Sequence, residues 1–168
     1  PDGAAKPSSY SDGCLVLAVP WELEHPGGVN QVVMNLYDQM VSKSAVLPCV
    51  LVQSWGYPER WQGDVGGRLT VRWRFRVPFP EQNKLKAGLM FWMSLPFALY
   101  RLVRWMRQDR VKLVNAHYPG LWLLPFAILR RFWGTPQMFV LSVHGQDVRA
   151  AKTWSGWRRR LWRWLLRS

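Results

Sequence analysis

Cysteine is scarce in this chain. The 168 residues include two cysteines, Cys14 and Cys49, and each lies in an apolar, strand-like stretch. Such placement favours two buried free thiols over a disulfide bond. A hydrophobic fraction of 49% over this length indicates one folded domain with a core of its own.

Long hydrophobic runs are absent as well. The longest apolar stretch covers residues 87–100 and stops at Arg101, whereas a membrane-spanning helix needs about 20 apolar residues. Residues 1–13 are polar and rich in Pro, Ser and Gly, unlike a secretory signal. We therefore expect a flexible leader over 1–13 and a single domain over 14–168. We expect the protein to be cytoplasmic, either soluble or peripheral at the inner face of the cell membrane.

Negative charge is in short supply. Ten acidic residues stand against 23 lysines and arginines, and the net charge is +13. An anionic partner is therefore expected: lipid head groups, nucleic acid or a phosphorylated substrate. Residues 68–77 alternate with period two, which predicts a half-exposed strand near a sheet edge. Its exposed face would carry Arg68, Thr70, Arg72, Arg74 and Arg76. Its aromatic residues fall on the other face, so no stacking platform forms and nucleic acid is disfavoured.

Signals for metals and nucleotides are missing too. The three histidines show no His-x-His or His-x3-His spacing, and no Cys-x2-Cys occurs. The chain has neither a G-x-G-x-x-G fingerprint nor a Walker G-K-[ST] motif. A glycosidase-type pair of carboxylates is not evident either. We expect no metal and no resident cofactor.

What the sequence does have is a regular alternation of strand and helix patterns. Continuous apolar runs predict buried strands at 15–19, 45–53, 111–117 and 137–145. Helical spacing predicts helices at 29–42, 84–107, 121–132 and 153–168. Residues 54–67 have the composition of a loop. This order predicts an α/β fold, a Rossmann-like parallel sheet with helices on both faces.

Three loops follow buried strands and together hold all three histidines: residues 20–30, 117–120 and 144–148. In an open α/β sheet such loops meet at the carboxyl edge, so a shared binding cleft is expected there. In the first loop, Gly27 and Gly28 precede a helix N-terminus, where glycine permits positive φ and close approach by a phosphate. A tight turn without any ligand is the alternative explanation for this pair.

In this order, the motifs "PGGVNQVVMNL", "LVNAHYPG" and "FVLSVHGQDV" resemble the amino-terminal half of retaining GT-B glycosyltransferases of the family-4 type. That group includes sucrose-phosphate synthases and mannosyltransferases of glycolipid assembly. The resemblance covers roughly residues 14–150. It implies the acceptor-side domain of an enzyme that moves a hexosyl group from a nucleotide sugar to a glycan or lipid-linked acceptor, as in polysaccharide biosynthesis. The nucleotide sugar would be a co-substrate, bound mainly by a second domain.

The resemblance also assigns roles to the positions that match its motifs. His144 would line the sugar pocket as the catalytic residue. Contacts to the donor diphosphate or the acceptor are expected from Gly27, Gly28, Val29, Asn30, His117, Tyr118, Gly145 and Asp147. Glycine-lined amides would neutralise the departing diphosphate, and the imidazole would hydrogen-bond a sugar hydroxyl. Asp147 would bind an acceptor hydroxyl or orient His144.

The chain departs from the resemblance at its end. Members of the group carry a second domain with an E-x7-E-type pair of glutamates, and this sequence stops at Ser168, before such a domain could begin. We expect a fragment of a longer enzyme, or else a free-standing acceptor half. Alone it would have little or no transferase activity.

Two helical stretches rich in Trp and Arg suggest a lipid surface. The residues predicted to bind an anionic membrane are Trp154, Trp157, Arg159, Arg160, Arg163, Trp164 and Arg167. The helix near residues 90–107 has the same character. Alternatively, these apolar faces pack on the sheet or on another domain. A non-catalytic α/β module that binds anionic membrane is accordingly the second functional hypothesis.

Overall fold

The computed structural model describes residues 13–24, 27–43, 46–54, 56, 60–78 and 84–168. The predicted leader therefore lies outside the described residues, apart from Gly13, and so does His25. The elements are, in chain order, β1 (Cys14–Val19), α1 (Gly28–Lys43), β2 (Leu47–Gln53), β3 (Trp61–Val65), β4 (Arg68–Trp73), α2 (Lys84–Gln108), β5 (Val111–His117), α3 (Leu124–Trp133), β6 (Met138–Ser142), α4 (Gln146–Lys152) and α5 (Gly156–Leu165).

The strands form one sheet in the order β3-β4-β2-β1-β5-β6. All neighbours are parallel except β3 and β4, which form an antiparallel hairpin. The predicted Rossmann-like α/β fold is confirmed. Because β2 lies on one side of β1 and β5 on the other, the chain reverses its direction of travel across the sheet beside β1. Such a reversal opens a crevice at the carboxyl edge.

The core has two layers, one on each face of the sheet. On one face α1 packs Val33 and Tyr37 against Leu17 and Val50. On the other, α2, α3 and α5 cover alternate residues of the same strands and contribute the largest side chains, including Trp105 and Phe126. The central strands are thus apolar on both sides, which explains their continuous hydrophobic runs.

The hairpin corrects two predictions. Residues 61–65, predicted as loop, form β3, and Gly66 and Gly67 make the turn with φ of +59° and +80°. Because β3 is the edge strand, β4 is covered, and the predicted exposure of its arginine face is wrong at Arg72, which is only 9% exposed. Its guanidinium lies 4.8 Å from the ring centroid of Trp61 in the neighbouring strand.

Smaller differences concern the ends of elements and the thiols. The strand predicted to reach residue 77 ends at Trp73, and the helix predicted from residue 153 begins at Gly156, after the separate α4. Cys14 and Cys49 are buried and free, as predicted. Contact with the Cys14 thiol, together with burial, raises the pKa of Cys49. Among the described residues, no helix combines the length and the hydropathy needed to cross a membrane.

Candidate functional site

The loops that leave β1, β5 and β6 border one open cleft of about 850 Å³. The residues that line it are Trp21, Gly27, Gly28, Val29, Val32, Tyr118, His144 and Gln146. The predicted convergence of the three loops is therefore confirmed. None of these lining side chains is acidic, so the walls do not repel an anionic ligand.

Gly27 and Gly28 form the α1 side of the cleft without being required by the backbone. Neither has a positive φ, so the conformational freedom that glycine permits is not used at either position. A Cβ built on either residue meets no atom within 4 Å. Backbone conformation and packing would thus both accept alanine, and the bare backbone faces open space. Because α1 begins at Gly28, the backbone of Gly28 and Val29 lies beside the cleft at the positive end of the helix dipole.

The loop that carries Trp21 is held from behind. The indole N–H of Trp21 donates to Oδ1 of Asn30 over 2.7 Å, and the Asn30 amide donates to the carbonyl oxygens of Glu22 and Leu23 at 3.1 Å each. Arg72 adds ion pairs to Glu22 at 2.8 Å and to Glu24, two residues later, at 2.9 Å. Asn30 is buried and supports the cleft wall through these hydrogen bonds without lining the cleft itself.

Tyr118 sits at the end of β5 in a conformation that tyrosine rarely adopts, with φ of +53°. Its backbone N–H donates to the carbonyl of Ser142 at 3.1 Å, which ties it to β6. Its ring meets Trp21 edge-on, with centroids 4.9 Å apart. Strained non-glycine residues of this kind concentrate at functional sites, and this one forms an aromatic corner of the cleft.

Two histidines from neighbouring strands meet beside that corner. Nδ1 of His117 lies 3.2 Å from Nε2 of His144, and the rings are stacked with centroids 5.4 Å apart. His117 is 2% exposed, and its Nε2 is buried with no hydrogen-bond partner among the described residues. Burial, and secondarily the neighbouring His144, lowers the pKa of His117 to about 4. His117 is therefore a neutral imidazole at physiological pH, and its contact with Nε2 of His144 leaves Nδ1 of His144 for other partners.

Asp147 fixes the turn that presents His144. Both carboxylate oxygens accept the backbone N–H of His144 at 3.2 Å, and one also accepts the N–H of Val148 at 2.9 Å. Asp147 is 4% exposed. These hydrogen bonds hold the backbone of His144, and both predicted roles of Asp147, orienting His144 and binding an acceptor hydroxyl, stay predictions. Gly145, between them, has φ of +88°, which favours glycine at this turn.

The structure divides the predicted site residues into two sets. Gly27, Gly28, Val29, Tyr118 and His144 line the cleft, whereas Asn30, His117, Gly145 and Asp147 do not line it. Sequence reasoning missed Trp21, Val32 and Gln146. The first and last could have been found by their place in the loops after β1 and β6, and Val32 lies one helical turn beyond Gly28.

The predicted membrane-binding residues lie on and before α5, away from this lining. Trp154 and Trp164 are partly buried and pack against the core. The remaining members are exposed: Trp157, Arg159, Arg160, Arg163 and Arg167. Their lipid contact stays a prediction. Within the described residues, no group of three His, Cys, Asp or Glu side chains is arranged to hold a metal ion.

Fold and cleft define the class of protein: a Rossmann-like α/β domain with a crevice where the strand order reverses. The profile of the glycosyl transferase 4-like domain family matches residues 27–168. The chain belongs to that family. The search of curated proteins gave no match.

The comparison of solved structures supports the same fold. A sucrose-phosphate synthase from Thermosynechococcus elongatus is similar with a TM-score of 0.56 and 13% sequence identity. The match covers 92% of this chain and 40% of the synthase. The chain thus spans less than half the length of this structural relative.

Proposed function

We propose that this chain is the acceptor-side domain of a retaining glycosyltransferase. The enzyme would move a hexosyl group from a nucleotide sugar to a glycan or lipid-linked acceptor at a membrane surface. Family membership supports the reaction class. The observation that carries the site is the pair Gly27 and Gly28, which line the cleft and whose lack of side chains serves neither backbone nor packing, so that a phosphate has room to approach their backbone.

The residues around the cleft suit the two electrostatic tasks of such a transfer. Amide groups at the start of α1 can hydrogen-bond the diphosphate as it leaves with negative charge. Across the cleft, His144 offers its Nδ1 to a sugar hydroxyl, since its Nε2 is engaged by His117. The aromatic corner of Trp21 and Tyr118 gives one wall an apolar surface on which a sugar ring can rest.

Inorganic pyrophosphate is the appropriate probe, because every nucleoside-diphosphate sugar contains that group. We expect the amide signals of Gly27 and Gly28 in an NMR titration of the 168-residue chain to shift more than those elsewhere. Gly28→Ala should weaken the binding about tenfold, because a methyl group then stands where the phosphate approaches.

Gly56→Ala is the matched control. Gly56 also lacks a positive φ, and its nearest neighbour for an added Cβ is Ser54 at 3.9 Å, so this substitution is sterically mild and lies outside the cleft lining. The control should bind pyrophosphate as the unsubstituted chain does. Equal binding by the Gly28 variant, or shifts confined to the exposed arginines, would remove the diphosphate site.

A non-catalytic α/β module that binds anionic membrane is the second candidate, favoured by an exposed apolar face on α2. This candidate requires no ligand in the cleft. It therefore predicts that pyrophosphate leaves the signals of Gly27, Gly28 and His144 in place even when the chain binds lipid vesicles.

A further inference from the structure

Helix α2 is apolar on two opposite faces. Its inner face packs Phe91, Leu95, Leu102, Trp105 and Met106 into the core. Its outer face exposes large apolar side chains over four turns: Leu85, Leu89, Met90, Trp92, Met93, Phe97 and Tyr100. Four of these, Leu89, Met93, Phe97 and Tyr100, are 62%, 69%, 63% and 62% exposed and follow one another along the helix.

These side chains form a continuous strip, which we call the α2 strip. At 1.5 Å per residue, the distance from Leu85 to Tyr100 is roughly 22 Å. Single exposed apolar side chains are ordinary on a protein surface, but a contiguous row marks a surface that binds something. Nothing within the described chain covers it.

Arginines border the α2 strip. Beyond Tyr100 the outer face of the helix continues with Arg104 and Arg107, both exposed. Along one side runs a groove between α2 and the end of β4, lined by Arg74, Arg76 and Arg101. The Arg101 guanidinium lies 5.4 Å from the ring centroid of Phe97, so charge and apolar surface are in direct contact. The helix itself contains no acidic residue.

We propose that the α2 strip docks on an anionic phospholipid bilayer. The apolar side chains enter the boundary between head groups and acyl chains, and the bordering arginines contact lipid phosphates. The proposal rests on the proposed function, since an acceptor linked to lipid places the cleft beside a membrane. Charge favours a bilayer over a second copy of the chain, because two copies would each bring a net charge of +13.

Helix α5 does not offer a comparable surface. Its Trp162 and Leu165 are buried, and of its large apolar side chains only Trp157 is strongly exposed, at 68%, with Leu166 just beyond the helix. Its outer face is therefore cationic without being apolar. It can add long-range attraction to an anionic surface but supplies little to insert.

Vesicle co-sedimentation of the 168-residue chain tests the proposal. Binding is expected to vesicles of phosphatidylcholine mixed with phosphatidylglycerol, not to phosphatidylcholine alone, and should weaken as salt rises. The combined variant Leu89→Ser, Met93→Ser and Phe97→Ser should bind at least about tenfold more weakly. The double variant Arg104→Gln with Arg107→Gln should also bind the vesicles about tenfold more weakly or worse. The reason is that one to two charges near the surface contribute roughly a factor of ten to binding.

Matched substitutions on α5 are the control. Arg159→Gln with Arg163→Gln removes the same number of exposed charges, and we expect a loss of less than about threefold, as for charges held away from the surface. A loss on α5 as large as on α2 would overturn the assignment of the surface. Equal binding to both kinds of vesicle would overturn the anionic partner.

A labelled cysteine at one position of the α2 strip reports contact with the bilayer directly. Cys14 and Cys49 are buried, so an environment-sensitive dye can be directed to Met93→Cys or, on the far face, to exposed Gln39→Cys. With anionic vesicles the emission should shift to the blue at position 93 and stay unchanged at position 39.

A chain that sediments with an unchanged spectrum at position 93 contradicts the proposal. So does a serine variant that abolishes self-association while lipid binding is absent, because that result assigns the strip to a second copy. None of these readouts depends on pyrophosphate binding, so the proposed function stands or fails separately.

Discussion

Helices α2 and α5 are both rich in Trp and Arg, and they meet their surroundings in different ways. In α5 the apolar residues pack into the fold: Leu165 is fully buried, and the rings of Trp162 and Trp154 form a T-shaped pair with centroids 5.4 Å apart. The Arg158 guanidinium lies over the Trp154 ring, 4.1 Å from its centroid. In α2 a second set of apolar residues remains outside after the core is complete.

The contrast between α5 and α2 separates residues whose type is explained by packing in the fold from residues whose type is not. The glycines can be divided in the same way. Gly134 ends α3 with φ of +64°, a conformation that glycine adopts at no steric cost. Gly28 begins α1 with an ordinary φ and open space before it. Residue types that neither packing nor backbone demands are the ones on which we base a lipid surface and a diphosphate site.

One leucine from each helix gives the largest expected contrast. Leu165→Ala should lower the free energy of unfolding by about 2–5 kcal/mol, because it leaves a cavity in the core. Leu89→Ala, the same substitution on the α2 strip, should change it by no more than about 0.5 kcal/mol. Chemical denaturation of the two variants measures both values. Similar losses would mean that the outer face of α2 is part of the core.

The paired histidines provide the next contrast, between a buried and a half-buried imidazole. The folded-state pKa of His117 is about 4, against about 6.5 for an unfolded chain. As the pH falls from 6.5 to 4, the unfolded state takes up a proton that the folded state does not, so the free energy of unfolding decreases. The decrease should reach up to about 3 kcal/mol by pH 4 and be absent above pH 6.5.

The variant His117→Gln removes the contribution of His117 to the pH dependence of the free energy of unfolding and leaves every other titrating group in place. The difference in unfolding free energy between the original chain and the variant should therefore vary below pH 6.5 and be constant above it. Denaturant titrations across this pH range provide the measurement. If the free energy of unfolding varies with pH in the same way for the two proteins, His117 takes up its proton in the folded state as readily as in the unfolded state.

Much of this architecture could be predicted from the sequence. The unbroken apolar runs of β1, β2 and β5 indicated strands buried on both faces. The loops after β1, β5 and β6 were correctly expected to meet. The strand β3 was missed because "WQGD" is poor in strand-forming residues. The signal was the Gly66–Gly67 pair, a two-residue hairpin turn. Without β3, Arg72 was expected in solvent, whereas it is covered.

Which helix face becomes covered could not be predicted, because periodicity shows that a face is apolar and not what lies against it. Both Trp/Arg-rich helices met the pattern of an amphipathic membrane helix, and they differ because α2 exposes a second apolar face whereas α5 does not. The pairing of His117 with His144 was likewise hidden, since the residues are 27 positions apart and meet through the register of β5 with β6.

The smallest and most informative contrast uses the two glycines. At both Gly134 and Gly28 an added Cβ meets nothing within 4 Å, so alanine substitutions there differ only in the backbone conformation that they must accept. Gly134→Ala should lower the free energy of unfolding by about 1 kcal/mol, because it forces an L-residue into the left-handed region. Gly28→Ala should leave it unchanged or raise it by up to about 1 kcal/mol, because alanine favours the helix and stiffens the unfolded chain.

Thermal or denaturant unfolding of the two variants measures this difference under identical conditions. A Gly28 variant that is as stable as the original chain, yet binds pyrophosphate poorly, separates the needs of the ligand from those of the fold. If instead Gly28→Ala destabilises the chain as much as Gly134→Ala does, the glycine is needed by the turn itself. The bare backbone at the start of α1 then gives no ground for a diphosphate in the cleft.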